Sequence, residues 1–145
     1  MTDASAPFVP PIVLTVAGSD SGGGAGIQAD LKVISALGGF GASVVTALTA
    51  QNTRTVAAVH FPPAEFLRQQ LETVFDDLDV RTLKVGMVGT VELIEVVATA
   101  LEQHSSIPAI VDPVMVAKSG DRLLRQDAVE AMRKRLVPRA DLLTP

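Results

Sequence analysis

The sequence predicts an α/β fold in which a mostly parallel sheet carries helices on both faces. Two observations predict it: short runs of aliphatic and β-branched residues alternate with longer segments of helical apolar spacing, and glycines or prolines separate them. Apolar residues make up 48% of the 145 residues, which is enough to build one buried core. Crossovers between the parallel strands are expected to be right-handed.

The first half of the chain contains three predicted strands and one helix. A continuous β-branched run at residues 12–17 is typical of a parallel strand that is buried on both faces. A helix is predicted over residues 26–37, and the two glycines that begin at Gly38 end it. A second strand follows at residues 42–50. Residues 55–61 are then expected to form a short strand that projects from the main sheet.

The second half of the chain continues the alternation. A helix is expected to begin after Pro62-Pro63, because the first helical position needs no amide hydrogen, and Thr90 is a suitable N-cap for the next helix. The remaining predicted elements are strands at residues 83–85, 109–111 and 141–144, and helices that end at His104 and span residues 127–137. The last strand lacks a covering helix, so we expect the chain to be a truncated part of a longer protein.

Charge and composition exclude several classes of protein. Twelve basic and sixteen acidic residues give a net charge of −4, which provides no basic surface for nucleic acid or anionic lipid. Cysteine is absent, so the chain has no disulfide, thiolate metal site or thiol nucleophile. Residues 1–10 lack the basic and apolar regions of a secretion signal, and the expected location is therefore cytoplasmic.

The candidate binding site lies where the predicted strands end. In open parallel sheets ligands bind beyond the carboxyl ends of the strands. The residues in those places are small, polar or thioether-bearing, which suits a flat polar ring better than a large lipid. They are residues 18–23, 51–52, 86–87 and 112–115.

The glycine-rich segment at residues 22–26 leads into a helix, where backbone amides can hold an oxygen or a phosphate. It is not a Walker A loop, because Gly24 stands where that motif needs a lysine. A dinucleotide fingerprint at residues 24–29 is a weak match, since six residues separate it from the strand and the second strand ends in Gln51. The alternative is a loop that merely turns a strand into a helix.

Asp30 lies within the apolar arc of the first predicted helix, so its carboxylate is expected to face inward. A buried carboxylate needs a partner or a function. It either accepts hydrogen bonds from the glycine-loop amides or contacts a ligand, and the sequence leaves both open. Gln51 and Met87 also have two interpretations each. Gln51 is either a solvated residue at a strand end or a ligand contact, and Met87 is either core filling or a ligand contact.

Four blocks of this sequence are recognisable together. They are AGSDSGGGAGIQAD at residues 17–30, TALTAQNT at 46–53, KVGM at 84–87, and DPVM at 112–115 with KSG at 118–120. These blocks resemble the hydroxymethylpyrimidine/phosphomethylpyrimidine kinase family of the ribokinase-like superfamily. They occur in order at fitting separations, so residues 12–145 are expected to be the amino-terminal part of a single ribokinase-like kinase domain, and residues 1–11 a flexible N-terminal segment.

The resemblance implies an ATP- and Mg²⁺-dependent kinase of thiamine diphosphate biosynthesis, which phosphorylates 4-amino-5-hydroxymethyl-2-methylpyrimidine and then its monophosphate. It also assigns binding residues: Gly18, Asp30 and Gln51 at the polar edge of the pyrimidine, and Met87 and Val114 against its faces. Asp112 would help to position magnesium and phosphate, and Lys118 would lie in a mobile loop near the phosphates.

Two other interpretations remain. Pyridoxal or pyridoxine kinase shares the fold and parts of the motifs, although the uninterrupted segments at residues 28–30 and 51–53 favour the pyrimidine. The chain could also be a catalytically silent fragment that binds a pyrimidine, or that associates as a homodimer through its uncovered final strand. In each case the expected partners are small molecules, with no nucleic acid and no membrane.

We predict that the 145-residue chain binds the pyrimidine without phosphorylating it. In the family the metal-organising and anion-hole residues would follow Pro145, so no catalytic residue is assigned here, and phosphoryl transfer depends on such groups. A coupled assay of the chain should stay near background, whereas a chain extended through the carboxyl-terminal half should transfer phosphate from ATP. Robust turnover by the 145-residue chain would contradict this expectation.

Overall fold

The computed structural model describes residues 9–114, 124 and 126–144, and its strands form one sheet of six. The strands are β1 (Ile12–Gly18), β2 (Phe40–Gln51), β3 (Val56–His60), β4 (Val80–Val85), β5 (Ala109–Val111) and β6 (Leu142–Leu143). Their order across the sheet is β3-β2-β1-β4-β5-β6, and all neighbours are parallel except β2 and β3. The predicted mostly parallel sheet is therefore confirmed.

In the described part of the chain, four helices connect the strands. They are α1 (Gly26–Ala36), α2 (Ala64–Asp77), α3 (Val91–Gln103) and α4 (Gln126–Ala131), and α4 continues as a π-helical turn (Met132–Leu136) and a 3₁₀ turn (Val137–Arg139). The chain moves from β1 to β2 in one direction and from β2 past β1 to β4 in the other. Right-handed crossovers therefore put α1 on one face and α2, α3 and α4 on the opposite face.

The helix boundaries follow the signals in the sequence. The Thr90 hydroxyl caps α3 by accepting a hydrogen bond from the Leu93 amide at 3.3 Å. Gly38 has a φ of +82°, a left-handed conformation that favours glycine, and it follows the end of α1. The helix predicted at residues 127–137 differs, because it changes to π geometry at Met132–Leu136 and then to a 3₁₀ turn that contains Pro138, which has no amide hydrogen to donate.

The strand β3 projects from the main sheet, as predicted. The first part of β2 pairs with β1 as far as Ala47, and its last part, from Leu48 to Gln51, pairs with β3. This extension of β2 carries Gln51 beyond the edge of the parallel sheet. Residues 1–8 of the predicted N-terminal segment and the predicted loop that contains Lys118 lie outside the described residues.

The main core lies between the sheet and the helices α2, α3 and α4, which cover one of its faces. Leu14 and Val16 of β1, Leu83 of β4, and Ile94 and Val97 of α3 are each at most 1% exposed. Their burial removes apolar surface from water and holds the strand ends in a fixed frame. None of the helices in the described part of the chain has the length and apolar character needed to cross a membrane.

We predict that Val97→Ala destabilises the protein more than Val33→Ala. Val97 is 1% exposed in α3, whereas Val33 is 57% exposed in α1, so the two changes compare the same substitution in a helix with and without burial. Val97→Ala should lower the free energy of unfolding by about 1.5 kcal/mol or more, and Val33→Ala by less than about 0.5 kcal/mol. Urea denaturation measures both, and equal losses would show that the core is placed incorrectly.

Candidate functional site

A cavity of about 350 Å³ lies at the carboxyl ends of β1, β2, β4 and β5. Six of the seven site residues that the sequence predicted line it, and the seventh, Lys118, lies outside the described residues. The six are Gly18, Asp30, Gln51, Met87, Asp112 and Val114. The structure therefore brings together residues that are far apart in the chain, at the edge of the sheet where the strand pattern predicted a site.

The sheet register explains why these residues meet. Gly18 at the end of β1 lies opposite Ala47 of β2, and Val16 lies opposite Val85 at the end of β4. The Asp112 amide, just after β5, donates a hydrogen bond to the Val85 carbonyl at 2.8 Å. The turns after the adjacent strands β1, β4 and β5 thus start at nearly the same level of the sheet.

The glycine-rich loop is organised around the carboxylate of Asp20. This carboxylate accepts hydrogen bonds from the amides of Gly22 at 2.7 Å, Gly24 at 2.9 Å and Ala25 at 2.8 Å, and the residue is 6% exposed. Because these amides are already satisfied, they do not form the open phosphate cradle that the sequence indicated. The extra glycines instead let the backbone wrap closely around an internal anion.

Two further features define the shape of this loop. Gly26 has a φ of +55°, and a Cβ atom there would collide with the Gly18 carbonyl oxygen, so a side chain cannot be accommodated. The Gln28 side-chain oxygen accepts a hydrogen bond from the Asp20 amide at 2.7 Å, which ties the loop back to α1. The role of Asp20 is not among the predictions from the sequence, although an Asp two residues before a glycine is a known turn signal.

Asp30 faces inward, as predicted, but its partners are not the loop amides. Its Oδ2 atom accepts hydrogen bonds from the Thr15 hydroxyl at 2.6 Å and from the Lys84 ammonium at 3.0 Å. The side chain is 18% exposed and lines the cavity. The interpretation that Asp30 accepts hydrogen bonds from the glycine loop is therefore wrong, because Asp20 lies inside that loop and satisfies it.

The end of β2 is fastened to the glycine loop by Ser21. The Ser21 hydroxyl donates to the Gln51 carbonyl and accepts from the Gln51 amide, both at 2.7 Å. Two residues earlier in both segments, the Thr49 hydroxyl donates to the Ser19 carbonyl at 2.8 Å. These contacts hold the Gln51 backbone beside the cavity, and its side-chain amide makes no hydrogen bond within the described part of the chain.

Met87 belongs to both the core and the cavity wall. It is 9% exposed, packs with the main core, and lines the cavity near Gly18. A Cβ atom at Gly18 would lie 2.6 Å from the Met87 methyl carbon, so the glycine gives the thioether its space. Core filling and cavity lining are therefore compatible for this residue.

Three carboxylates line the cavity, and they differ in their partners. Asp20 binds loop amides and Asp30 pairs with Lys84, whereas the Asp112 carboxylate makes no hydrogen bond to any described residue. Within residues 9–114, 124 and 126–144, no group of three or more His, Asp or Glu side chains is arranged to hold a metal ion. A cation held by these described carboxylates would therefore need further ligands, such as water or phosphate oxygens.

Comparison with known proteins gives consistent matches along the chain. The family model described as phosphomethylpyrimidine kinase matches residues 20–145. A curated hydroxymethylpyrimidine/phosphomethylpyrimidine kinase from Rhizobium meliloti strain 1021 is 58% identical over 134 residues, which are 92% of this chain and 50% of the relative. The chain spans about half the length of the curated relatives that it matches.

Solved structures of kinases share this fold. A phosphomethylpyrimidine kinase from Clostridium difficile 630 is similar with a TM-score of 0.87 and 47% identity, covering 93% of this chain and 58% of that chain. A pyridoxal kinase from Staphylococcus aureus, solved in complex with pyridoxal, has a TM-score of 0.83 and 36% identity, covering 95% of this chain and 49% of that chain. These likenesses confirm the predicted ribokinase-like α/β fold.

We predict that Asp20→Ala loosens the glycine-rich loop. The change removes the acceptor for three amides, and we expect the free energy of unfolding to fall by about 1–3 kcal/mol. Hydrogen exchange at the amides of Gly22, Gly24 and Ala25 should become faster by a larger factor than exchange in the strands, because these three amides lose their acceptor directly. Asp79→Ala is the matched control, because the Asp79 side chain is 84% exposed. Unaltered exchange at the three amides would show that Asp20 does not hold the loop.

Proposed function

Because this chain belongs to the phosphomethylpyrimidine kinase family, we propose that it forms the pyrimidine-binding part of a kinase that transfers phosphate from ATP to 4-amino-5-hydroxymethyl-2-methylpyrimidine and then to its monophosphate. The diphosphate product would supply the pyrimidine half of thiamine diphosphate. One observation carries the proposal beyond family membership: a cavity at the strand ends is lined by both polar and apolar groups of the kind that a small aminopyrimidine requires.

The polar groups at the cavity match the edge of an aminopyrimidine. The exocyclic amino group is a donor and the ring nitrogens are acceptors. Asp30 offers a carboxylate that only accepts when ionised, and Gln51 offers an amide that both donates and accepts. We assign Asp30, Gln51 and Gly18 to this edge, and Met87 and Val114 to the two faces of the ring.

The proposed transfer is a displacement at phosphorus. In the first transfer the hydroxymethyl oxygen forms a bond to the γ-phosphorus of ATP, the bond from that phosphorus to the bridging oxygen of ADP breaks, and the hydroxyl proton passes to solvent. In the second transfer a phosphate oxygen of the monophosphate is the attacking atom. Catalysis of such a step depends on positioning and on stabilising negative charge. We assign binding and positioning roles to the described residues and no catalytic role.

We further propose that Asp112 positions Mg²⁺ and phosphate. Mg²⁺ in kinases usually keeps several water ligands and is held by one or two carboxylates together with phosphate oxygens. A single carboxylate without a hydrogen-bond partner among the described residues is suited to that indirect role. Lys118 would act near the phosphates, as the family resemblance implies.

A cytoplasmic location, small-molecule ligands and a homodimer complete the proposal. The net charge of −4 supports a small ligand over nucleic acid. The two residues of β6, Leu142 and Leu143, are 55% and 41% exposed, and β6 is an edge strand. An edge strand of this kind can pair with another strand, which in a homodimer would come from a second copy.

Binding measurements test the pyrimidine assignment directly. We predict that the protein binds 4-amino-5-hydroxymethyl-2-methylpyrimidine more tightly than pyridoxal, and that Asp30→Asn weakens pyrimidine binding by more than about tenfold, since it removes a charged acceptor. Isothermal titration calorimetry measures each affinity, and Asp79→Asn, at an exposed carboxylate, is the control.

Two outcomes would contradict the assignment. Tighter binding of pyridoxal than of the pyrimidine would favour the pyridoxal kinase function. Unchanged pyrimidine affinity in Asp30→Asn would remove this carboxylate from the polar edge of the ligand.

A further inference from the structure

Lys84 is an unusual residue for its place in the sheet. It lies in β4 between the buried residues Leu83 and Val85, and its side chain is only 24% exposed. Among the described residues it is the only basic side chain that lines the cavity. A lysine in this position replaces apolar packing with a charge, so it requires a compensating partner.

The partner is Asp30, and the register of the sheet brings the two together. Lys84 lies directly opposite Thr15 on the neighbouring parallel strand β1, so both side chains are on the face that α1 covers. Asp30 projects from α1 onto this pair. Its Oδ2 atom then receives the Thr15 hydroxyl at 2.6 Å and the Lys84 ammonium at 3.0 Å.

The backbone nearby leaves room for the ammonium group. A Cβ atom at Gly86 would lie 2.9 Å from the Lys84 Nζ atom and 2.9 Å from the Ala17 Cβ atom. Glycine at this position therefore lets Lys84 reach across the ends of the strands to Asp30.

The two donors act on the same oxygen of Asp30. Thr15 is completely buried and the strand register holds its backbone in place, so its hydroxyl constrains the direction of the carboxylate. The other oxygen, Oδ1, has no hydrogen-bond partner within the described residues. A carboxylate has lone pairs on both oxygens, and the free one can accept from a donor in the cavity.

We propose that Lys84, together with Thr15, is a positioning residue that fixes the Asp30 carboxylate so that Oδ1 accepts a hydrogen bond from the exocyclic amino group of the ligand. The inference rests on the proposed pyrimidine function and extends it to specificity. A charged acceptor that is held in one direction favours a ring with a donor at that point. It disfavours a ring that has only hydrogen or an acceptor there.

Lys84→Met tests this role, because methionine keeps an unbranched chain and removes the charge. Affinity is measured by calorimetry for two ligands: 4-amino-5-hydroxymethyl-2-methylpyrimidine and the same ring without its amino group. We expect Lys84→Met to weaken binding of the first by about tenfold and of the second by less than about twofold. Lys84→Arg, which keeps the charge, should restore at least part of the preference for the amino ligand.

A double variant distinguishes action through Asp30 from direct contact with the ligand. In an Asp30→Asn background, Lys84→Met should change the affinity for the amino ligand by less than about threefold, because the group on which Lys84 acts has been altered. Lys134→Met is the control for loss of a lysine as such, since the Lys134 side chain is 74% exposed. Thermal unfolding of each variant reports whether the fold is retained.

Thr15→Val provides a second route if Lys84→Met does not fold. It preserves the shape of a completely buried side chain and removes one donor to Oδ2, and we expect the same selective loss for the amino ligand. A variant that acts only on stability would not give this selective loss, because a general loss of fold weakens the binding of both ligands equally.

The outcomes separate this inference from the proposed function. A protein that binds the pyrimidine with a clear preference for the amino group, and keeps that preference in both Lys84→Met and Thr15→Val, overturns the positioning role alone. Equal weakening of both ligands, or a full effect of Lys84→Met in the Asp30→Asn background, also overturns it. Failure of the unaltered protein to bind either pyrimidine overturns the proposed function and this inference together.

Discussion

The central strand β1 pairs in parallel with β2 on one side and with β4 on the other, and the cavity depends on these two ladders. They bring the turns after the strands to one edge of the sheet, so residues that are distant in sequence share a single wall. They also determine which side chains point where. Leu14 and Val16 enter the main core, and Thr15 between them therefore faces α1. A slip of one residue would exchange these faces and remove a partner of Asp30.

The charges around the cavity illustrate how one kind of group can have several roles. Asp20 is an internal anion that satisfies loop amides and leaves the loop with a defined shape. Asp30 is balanced by Lys84 on one oxygen, and Asp112 has no protein partner among the described residues. Burial and pairing differ at the three positions, and they separate a structural carboxylate, one that is paired beside the cavity, and one that has no partner among the described residues.

Sequence patterns predicted most of the elements because apolar periodicity and capping residues act locally. The strand at β5 has the predicted bounds, Thr90 caps α3, and the short strand β3 projects from the sheet as expected. The glycine-rich loop was less predictable. Its composition indicated free amides for an anion, but a carboxylate within the loop itself, at Asp20, binds them. Composition does not reveal which of two nearby acids, Asp20 or Asp30, reaches the amides, because that depends on the path of the backbone.

The sequence by itself determined the α/β alternation, the strand ends that carry the candidate site, and the inward direction of Asp30. Each of these follows from spacing along a strand or a helix. Only the tertiary structure decided the partners of that carboxylate. Thr15 and Lys84 lie 15 and 54 residues from Asp30 in the chain, and they meet it because three separate elements pack together. Hydrogen bonds and ion pairs act over a few ångströms, so such partners become defined only when the sheet register and the position of α1 are fixed.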